Sequence, residues 1–134
     1  MFFRGEYAPG MSTDREAANE VSFWILTALT ETSKHGYGVL RDVELLSTSS
    51  GGRPVSLKVP TLYAALERLE RVGLVEVDRE EVVDGRARRY YRITERGADA
   101  LAEETSNLEG RARAARRALT RPAIDTSGAT AVRR

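Results

Sequence analysis

The stretch LKVPTLYAALERLERVGLV, residues 57–75, predicts a helix with a defined start and a sharp end. Pro60 suits the first turn of a helix, where its missing N–H costs nothing, and Gly73 suits the left-handed residue that ends one. EVDREEVVDGRARRYYRITERG follows without a linker, so this third helix runs directly into an arginine-rich segment. The apolar residues between those ends recur at the spacing of one buried helix face: Leu62, Ala65, Leu66, Leu69 and Val72.

Two helices are predicted before this one. Thr13 and Glu16 form a capping box that opens the first helix. Residues 33–38 break the helical spacing and start the second helix, and residues 47–54, STSSGGRP, follow it as a loop. The first helix is predicted to bury one stripe, with Phe23 and Trp24 beside it: Ala18, Val21, Ile25, Ala28 and Leu29. The second is predicted to point four residues inward: Tyr37, Leu40, Val43 and Leu46.

Asp84-Gly85 predicts a hairpin turn between two β-rich runs. A two-residue loop would set Val77 opposite Arg92, an apolar residue against a charged one. A three-residue loop over residues 84–86 avoids this, and we predict that register because it matches charges and apolar residues across the strands. Its pairs are Val83 with Ala87, Glu81 with Arg89, Asp78 with Arg92 and Val77 with Ile93.

A fourth helix is predicted from a cap at Thr94 to a stop before Pro122. Its apolar residues recur at spacings of 7, 4, 3 and 4, as in a heptad seam: Leu101, Leu108, Ala112, Ala115 and Leu119. Such a seam favours pairing with a second copy of the chain, with these five residues and Trp24 in the interface. The alternative is an ordinary amphipathic helix that packs on its own subunit.

The predicted fold class is mainly α with a small β-hairpin. Three short helices followed by a hairpin are the layout of a winged helix-turn-helix. We predict a flexible arm over residues 1–12, a winged helix-turn-helix domain over residues 13–93, a C-terminal dimerisation helix over residues 94–120 and a disordered tail over residues 121–134.

Composition and charge limit the function classes. The 134 residues suit one domain, and the absence of cysteine excludes disulfides, thiolate metal sites and a cysteine nucleophile. No apolar run is long enough to span a membrane and no secretory segment is present, so a cytoplasmic protein without membrane contact is expected. Residues 110–134 carry seven arginines and one aspartate, a net of +6 that leaves −5 for residues 1–109. This basic end indicates an anionic partner or, alternatively, a solubilising tail.

No catalytic pattern is present in the sequence. His35 is the single histidine, and within HGYG we expect it to satisfy the start of a helix rather than act as a base. Gly36-Tyr37-Gly38 is not a dinucleotide fingerprint, and no Walker loop or metal-ligand spacing occurs. We therefore expect no enzymatic activity, no catalytic residues, no metal and no cofactor.

Basic and small side chains at the start of the third helix and at the hairpin tip predict contact with double-stranded DNA. The free N–H groups and dipole of a helix start attract phosphate, and Ala64 lets the helix approach a base edge. Arginines of the hairpin can reach a phosphate or the minor groove. The predicted DNA-binding residues are Lys58, Thr61, Tyr63, Ala64, Arg68, Arg86, Arg88 and Arg89.

Each of these features also has a structural alternative. Glu67 and Arg71 are spaced to form a surface pair on the third helix. Arg89 and Arg92 can pair with carboxylates across the hairpin, and the tyrosines at positions 90 and 91 can be packing residues. A winged helix that binds only protein is the remaining alternative function. That module would lack the salt-dependent affinity for DNA that counterion release causes.

Three segments resemble the PadR family of bacterial transcriptional regulators: HGYGVL at 35–40, PTLYAALERLERVGLV at 60–75 and DGRARRYYRITERG at 84–97. The resemblance covers roughly residues 17–119 and implies a homodimeric repressor that binds palindromic operators, often of its own or a neighbouring promoter. It implies that the last helix contacts the partner's first helix, that Thr61 and Tyr63 start the recognition helix, and that residues 86–89 form the wing. Pro60 departs from a glycine common in the family, and the short last helix indicates the short-tailed subgroup.

The family resemblance also implies release from DNA by a small aromatic or cationic ligand. Phe23 and Trp24 lie off the main stripe of the first helix, so two copies near a dimer axis could line a cavity for a flat aromatic effector. The alternative is that Trp24 is a core residue of the interface.

Overall fold

A computed structural model describes residues 12–121, with side chains from residue 19 onward. The elements confirm the predicted layout of three helices, a hairpin and a long helix: α1 Ser12–Ala28, β1 Lys34–His35, α2 Gly36–Ser49, α3 Val59–Arg71, β2 Val75–Val83, β3 Arg86–Ile93 and α4 Glu95–Thr120. Helix α1 begins one residue before Thr13, and the capping-box side chains lie outside the described ones. Residues 1–11 and 122–134 are also outside, so the flexible arm and most of the disordered tail remain predictions.

The three short helices bury one apolar core. The predicted faces of α1 and α3 are confirmed at Ile25, Leu29 and Leu62, each at most 1% exposed. The prediction for α2 is wrong at Tyr37, which is 62% exposed, whereas Val39 is fully buried. The reason is the helix start: with α2 beginning at Gly36, the stripe that faces the core is Val39, Val43 and Ser47.

His35 caps α2 and confirms its predicted role at a helix start. Its backbone is extended, and its Nδ1 accepts a hydrogen bond from the Gly38 N–H at 3.0 Å. At the other end, α2 continues to Ser49, so the loop predicted over residues 47–54 begins later than expected. Buried Ser47 accepts a hydrogen bond from the Val55 N–H at 2.8 Å, which ties the following loop back to the helix and guides the chain into α3.

The predicted end of α3 at Gly73 is confirmed. This glycine has φ +85°, and its N–H donates to the carbonyl of Glu70 at 3.1 Å. The Leu74 N–H donates to the carbonyl of Leu69 at 2.9 Å, which completes a Schellman motif. Because the left-handed residue reverses the chain within one step, β2 begins at Val75 and the hairpin lies beside α3.

The sheet has three antiparallel strands in the order β1-β3-β2, not the two predicted. Lys34 pairs with Tyr91 and His35 pairs with Tyr90, so the residues just before α2 form an additional edge strand. A two-residue strand carries no alternation pattern, which is why the sequence did not indicate it. Through this edge strand, the start of α2 is attached directly to the hairpin.

The hairpin register differs from the predicted one. Asp84 and Gly85, with φ of 53° and 77°, form a two-residue turn of the primed type, and Val83 pairs with Arg86 rather than with residue 87. A β-bulge between residues 77 and 79 then shifts the pairing by one residue. Behind the bulge, Val77 pairs with Tyr91, so the apolar side chains remain together despite the shorter loop.

Thr94 caps α4 as predicted and joins it to the exit of α3. Its hydroxyl donates to the carbonyl of Gly73 at 2.7 Å and accepts from the Gly97 N–H at 3.0 Å. Its backbone N–H donates to the carbonyl of Leu74 at 3.1 Å. The turn that ends one helix therefore supports the start of another.

The chain divides into two compact units, Met1–Glu104 and Thr105–Arg134. In the first unit, Leu101 is half-buried and packs against the core cluster. In the second unit, Leu108 is 39% exposed and Leu119 is 83% exposed, while Ala112 and Ala115 are also exposed. The exposure of these positions in a single chain does not test the predicted dimer seam. No helix within residues 12–121 is long and apolar enough to cross a membrane.

Candidate nucleic-acid interface

A groove of about 750 Å³ separates the start of α3 from the hairpin. Tyr63 of α3, the hairpin tip and the start of α2 all line this groove. The groove therefore brings together two segments that the sequence predicted to bind DNA and that are more than twenty residues apart. The lining residues are His35, Gly36, Tyr37, Tyr63, Val83, Asp84, Arg86, Ala87, Arg88, Arg89 and Tyr91.

The start of α3 is open to solvent. Lys58, Thr61 and Ala64 are exposed, and Tyr63 is 45% exposed. Lys58 is the cap residue, but its side chain makes no capping hydrogen bond, and the first turn contains no acidic residue. An anion thus meets free N–H groups and the positive end of the helix dipole at this point.

Tyr63 does not simply project outward from α3. Its phenol group lies against Gly36, so that a Cβ at residue 36 would be 2.2 Å from the hydroxyl oxygen and 2.6 Å from Cζ. The ring therefore spans the space between α3 and the start of α2. This contact orients Tyr63 within the groove, an arrangement that its position in the sequence did not indicate.

The three hairpin arginines predicted to bind DNA have different surroundings. Arg86 and Arg88 are exposed, and neither forms an ion pair within 4.0 Å in the described part of the chain, although the charge of Arg88 helps to lower the pKa of Glu81. Arg89 instead lies between two carboxylates, with its Nε 3.3 Å from Glu80 and its Nη2 4.0 Å from Glu70. The alternative prediction that a carboxylate pairs with Arg89 across the hairpin is confirmed, although its partner is not Glu81.

Arg68 is half-buried rather than exposed like the rest of the predicted set. Burial, together with the charge of Arg71, lowers the pKa of its guanidinium. A DNA contact at Arg68 is still a prediction, but this side chain reaches solvent less freely than Thr61 or Ala64.

The hairpin carries a second charge network around Arg79 and Arg92. Arg79 lies over the ring of Tyr90 at 4.0 Å, and its hydrogen bond to Glu81 lowers the pKa of that carboxyl. Arg92 donates to Glu76 at 2.7 Å and to Asp78 at 3.0 Å. Because these groups neutralise one another, the alternative prediction that a carboxylate pairs with Arg92 across the hairpin is confirmed. Tyr91, on the groove side, is 4% exposed, and burial raises the pKa of its hydroxyl.

Phe23 and Trp24 are half-buried beside the core cluster. Their rings meet edge to face, with centroids 5.3 Å apart. The described subunit thus covers part of each ring and leaves the rest accessible, which is compatible with both a dimer contact and an effector site. The roles predicted for the two residues are not tested by this packing.

Sequence analysis missed the contribution of α2 to the groove and the identity of the carboxylates beside Arg89. The HGYG motif, in which two glycines flank a tyrosine at a helix start, was detectable in the sequence. That Gly36 and Tyr37 line the groove depends on how α2 packs against α3 and the hairpin, which the motif does not indicate. Glu70 and Glu80 had no distinguishing pattern in a sequence with twenty acidic residues. Within the described part of the chain, no three His, Cys, Asp or Glu side chains are grouped to hold a metal ion.

The protein is similar to known regulators in sequence and in fold. Residues 25–103 match the transcriptional regulator PadR-like family. A transcriptional regulator of Mycobacterium tuberculosis is 44% identical over 97 residues, which cover 72% of this chain and 71% of the relative.

Solved structures share the fold at lower identity. A PadR family transcription regulator of Clostridium difficile superposes with a TM-score of 0.58 at 23% identity, over 74% of this chain and 97% of the other. Bacillus subtilis PadR in complex with operator DNA superposes with a TM-score of 0.54 at 20% identity, over 64% of this chain and 47% of the other. These likenesses show a winged helix fold.

Proposed function

The chain belongs to the PadR-like family of transcriptional regulators, and on that premise we propose that it binds a specific DNA operator through the groove between α3 and the hairpin. The start of α3, with Lys58, Thr61, Tyr63 and Ala64, enters the major groove and contacts base edges. The hairpin is the wing, whose arginines hold the neighbouring phosphates.

The observation that carries this proposal is the juxtaposition in the groove. Tyr63 and the hairpin arginines Arg86 and Arg88 line one cleft, and each is exposed. A helix start with unsatisfied N–H groups lies on one side and guanidinium groups lie on the other, which matches the division between base contact and phosphate contact in DNA recognition. The operator complex of Bacillus subtilis PadR supports the same use of this fold.

We further propose that the protein acts as a homodimer on a palindromic operator. The support is the seam of α4, where Leu108 and Leu119 are exposed in the single chain. Leu119 is 83% exposed, so covering it with a second copy of the chain would stabilise the dimer by removing apolar surface from water. Two copies related by a two-fold axis would present two α3 helices, and these read half-sites about 10 bp apart or a multiple of that spacing.

The regulatory part of the proposal is repression relieved by a small planar aromatic compound. A repressor of its own or a neighbouring promoter is what the resemblance implies, and the partly exposed rings of Phe23 and Trp24 are the proposed contact for the effector. An aromatic surface that is half covered within one subunit suits a flat apolar ligand at a subunit boundary.

Footprinting on the DNA upstream of the protein's own gene tests the proposal directly. We expect protection of a site with inverted symmetry and an affinity that falls steeply with salt, because each neutralised phosphate releases about one counterion. Protection without inverted symmetry would contradict the palindromic dimer. An affinity for DNA that is absent at low salt would contradict DNA binding altogether and favour a protein-only module.

A further inference from the structure

Arg89 is held on the groove side of the sheet by two carboxylates from different elements. Its cross-strand partner Glu80 lies 3.3 Å from its Nε, and Glu70, in the last turn of α3, lies 4.0 Å from its Nη2. The guanidinium carbon is also 6.0 Å from the centre of the Tyr91 ring. Arg89 therefore connects the hairpin to α3, whereas Arg86 forms no ion pair in the described part of the chain.

The charge balance of this cluster opposes DNA. Two carboxylates and one guanidinium carry a formal net charge of −1, and Arg89 lines the groove where the proposed function places phosphates. The contact is nevertheless exchangeable, because the side chains of Arg89, Glu80 and Glu70 are 49%, 58% and 39% exposed and ion pairs at such exposure are weak. A phosphate that comes close enough can replace the carboxylates on Arg89.

Such an arrangement affects different DNA sequences unequally. Binding to non-cognate DNA depends almost entirely on phosphate contacts, so two nearby carboxylates and an occupied arginine weaken it directly. Operator DNA is also held by base contacts from the start of α3, which bring a phosphate close enough to displace the carboxylates. Repulsive groups that penalise the wrong partner more than the right one are a general source of specificity.

We propose that Glu70 and Glu80 are specificity-determining residues, which hold Arg89 within the groove and thereby weaken binding to non-cognate DNA more than binding to the operator. The proposal rests on the DNA-binding function proposed above. It assigns a role to two acidic residues in a basic interface, where a simple electrostatic account would expect none.

The test compares two duplexes of equal length: one enriched from random-sequence DNA by the wild-type protein, and a scrambled version of it. For Glu80→Gln we expect affinity for the scrambled duplex to rise about two- to fivefold, the scale of one exposed ion pair, with a smaller change for the enriched duplex. The salt slope on the scrambled duplex should steepen by about one, since Arg89 becomes free to neutralise a phosphate. Glu70→Gln should shift the ratio of the two affinities in the same direction.

Glu76→Gln is the matched control, because it removes the same charge from the hairpin on the opposite face of the sheet, where Glu76 pairs with Arg92 at 2.7 Å. We expect it to change both affinities by one common factor. A second control combines Glu80→Gln with Arg89→Ala, and the effect on the salt slope should vanish there if it acts through Arg89.

Two results would overturn the inference while leaving DNA binding intact. One is that Glu80→Gln tightens both duplexes by the factor found for Glu76→Gln, which is a general charge effect. The other is that the effect of Glu80→Gln persists without Arg89. A wild-type protein that enriches no sequence and binds both duplexes equally overturns the proposed function itself, and the inference with it.

Discussion

The hydroxyl of Tyr63 occupies the space that any side chain at residue 36 would require. A Cβ on Gly36 would lie 2.2 Å from that oxygen, well inside van der Waals contact. Gly36 is the first residue of α2 and Tyr63 lies in the first half of α3, so this contact sets the two helix starts against each other. The absence of a side chain at one residue thus determines where the other presents its ring.

Gly36→Ala should displace Tyr63 and weaken operator binding by roughly 1–3 kcal/mol, the scale of one contact at a recognition helix. Gly38→Ala is the matched control in the same turn of α2, because its Cβ would meet neighbours only at ordinary distances of 3.6 Å and beyond. Binding to the enriched duplex, measured by fluorescence anisotropy, separates the two variants. Equal affinities for both would show that the position of Tyr63 does not matter for recognition.

Gly97→Ala should destabilise the fold by about 1–3 kcal/mol, because the core next to it has no room. A Cβ there would lie 2.1 Å from the carbonyl oxygen of Leu74 and 2.8 Å from Cγ1 of Ile93. Gly110→Ala, in the same helix, meets nothing within 4 Å and should stabilise α4 by up to about 1 kcal/mol through helix propensity. Urea unfolding monitored by circular dichroism measures both, and a neutral Gly97→Ala would refute the close packing of α4 on Leu74.

Arg88→Ala should reduce the slope of log affinity against log salt by about one on every DNA sequence, because the proposed wing contact is to phosphate. Arg92→Ala is the control of equal charge, since Arg92 is already paired with Glu76 and Asp78. Titrations at several salt concentrations give the slopes. A wild-type slope for Arg88→Ala would mean that the hairpin tip does not touch the DNA backbone.

Leu119→Glu should convert the proposed dimer to a monomer, because a charge would replace a large apolar side chain at the C-terminal end of the proposed seam. Leu45→Glu, at a leucine that is 61% exposed on α2, should leave the dimer intact. Sedimentation velocity at several concentrations distinguishes the two species. A Leu119→Glu variant that sediments like the wild type would assign the seam of α4 to some other role.

Trp24→Ala distinguishes the two hypotheses for this residue. If Trp24 contacts an effector, a planar aromatic compound should quench its emission and lower operator affinity over the same concentrations, and the variant should remain dimeric but unresponsive. If Trp24 is interface core, the substitution should cost about 3–5 kcal/mol of stability and dissociate the dimer. Sedimentation before any ligand is added decides between these outcomes.

Local chemistry made much of the fold predictable. The cap at His35, the stop at Gly73 and the cap at Thr94 each depend on one side chain or one backbone conformation and its immediate neighbours. The buried faces of α1 and α3 follow from helical spacing alone. The predicted DNA-binding set also came from local pattern, since basic and small residues cluster at one helix start and one turn.

The sequence by itself determined the caps at His35 and Thr94, the end of α3 at Gly73 and which faces of α1 and α3 are apolar, because those properties arise within a few residues of chain. Only the tertiary structure decided the hairpin register, since the bulge near Asp78 shifts the pairing by one residue and sets Val77 opposite Tyr91. It alone decided that β1 joins the sheet, that Gly36 makes room for Tyr63, and that Arg89 lies between Glu70 and Glu80. Each of these contacts joins residues on different elements, and their energies depend on packing distances that no local pattern contains.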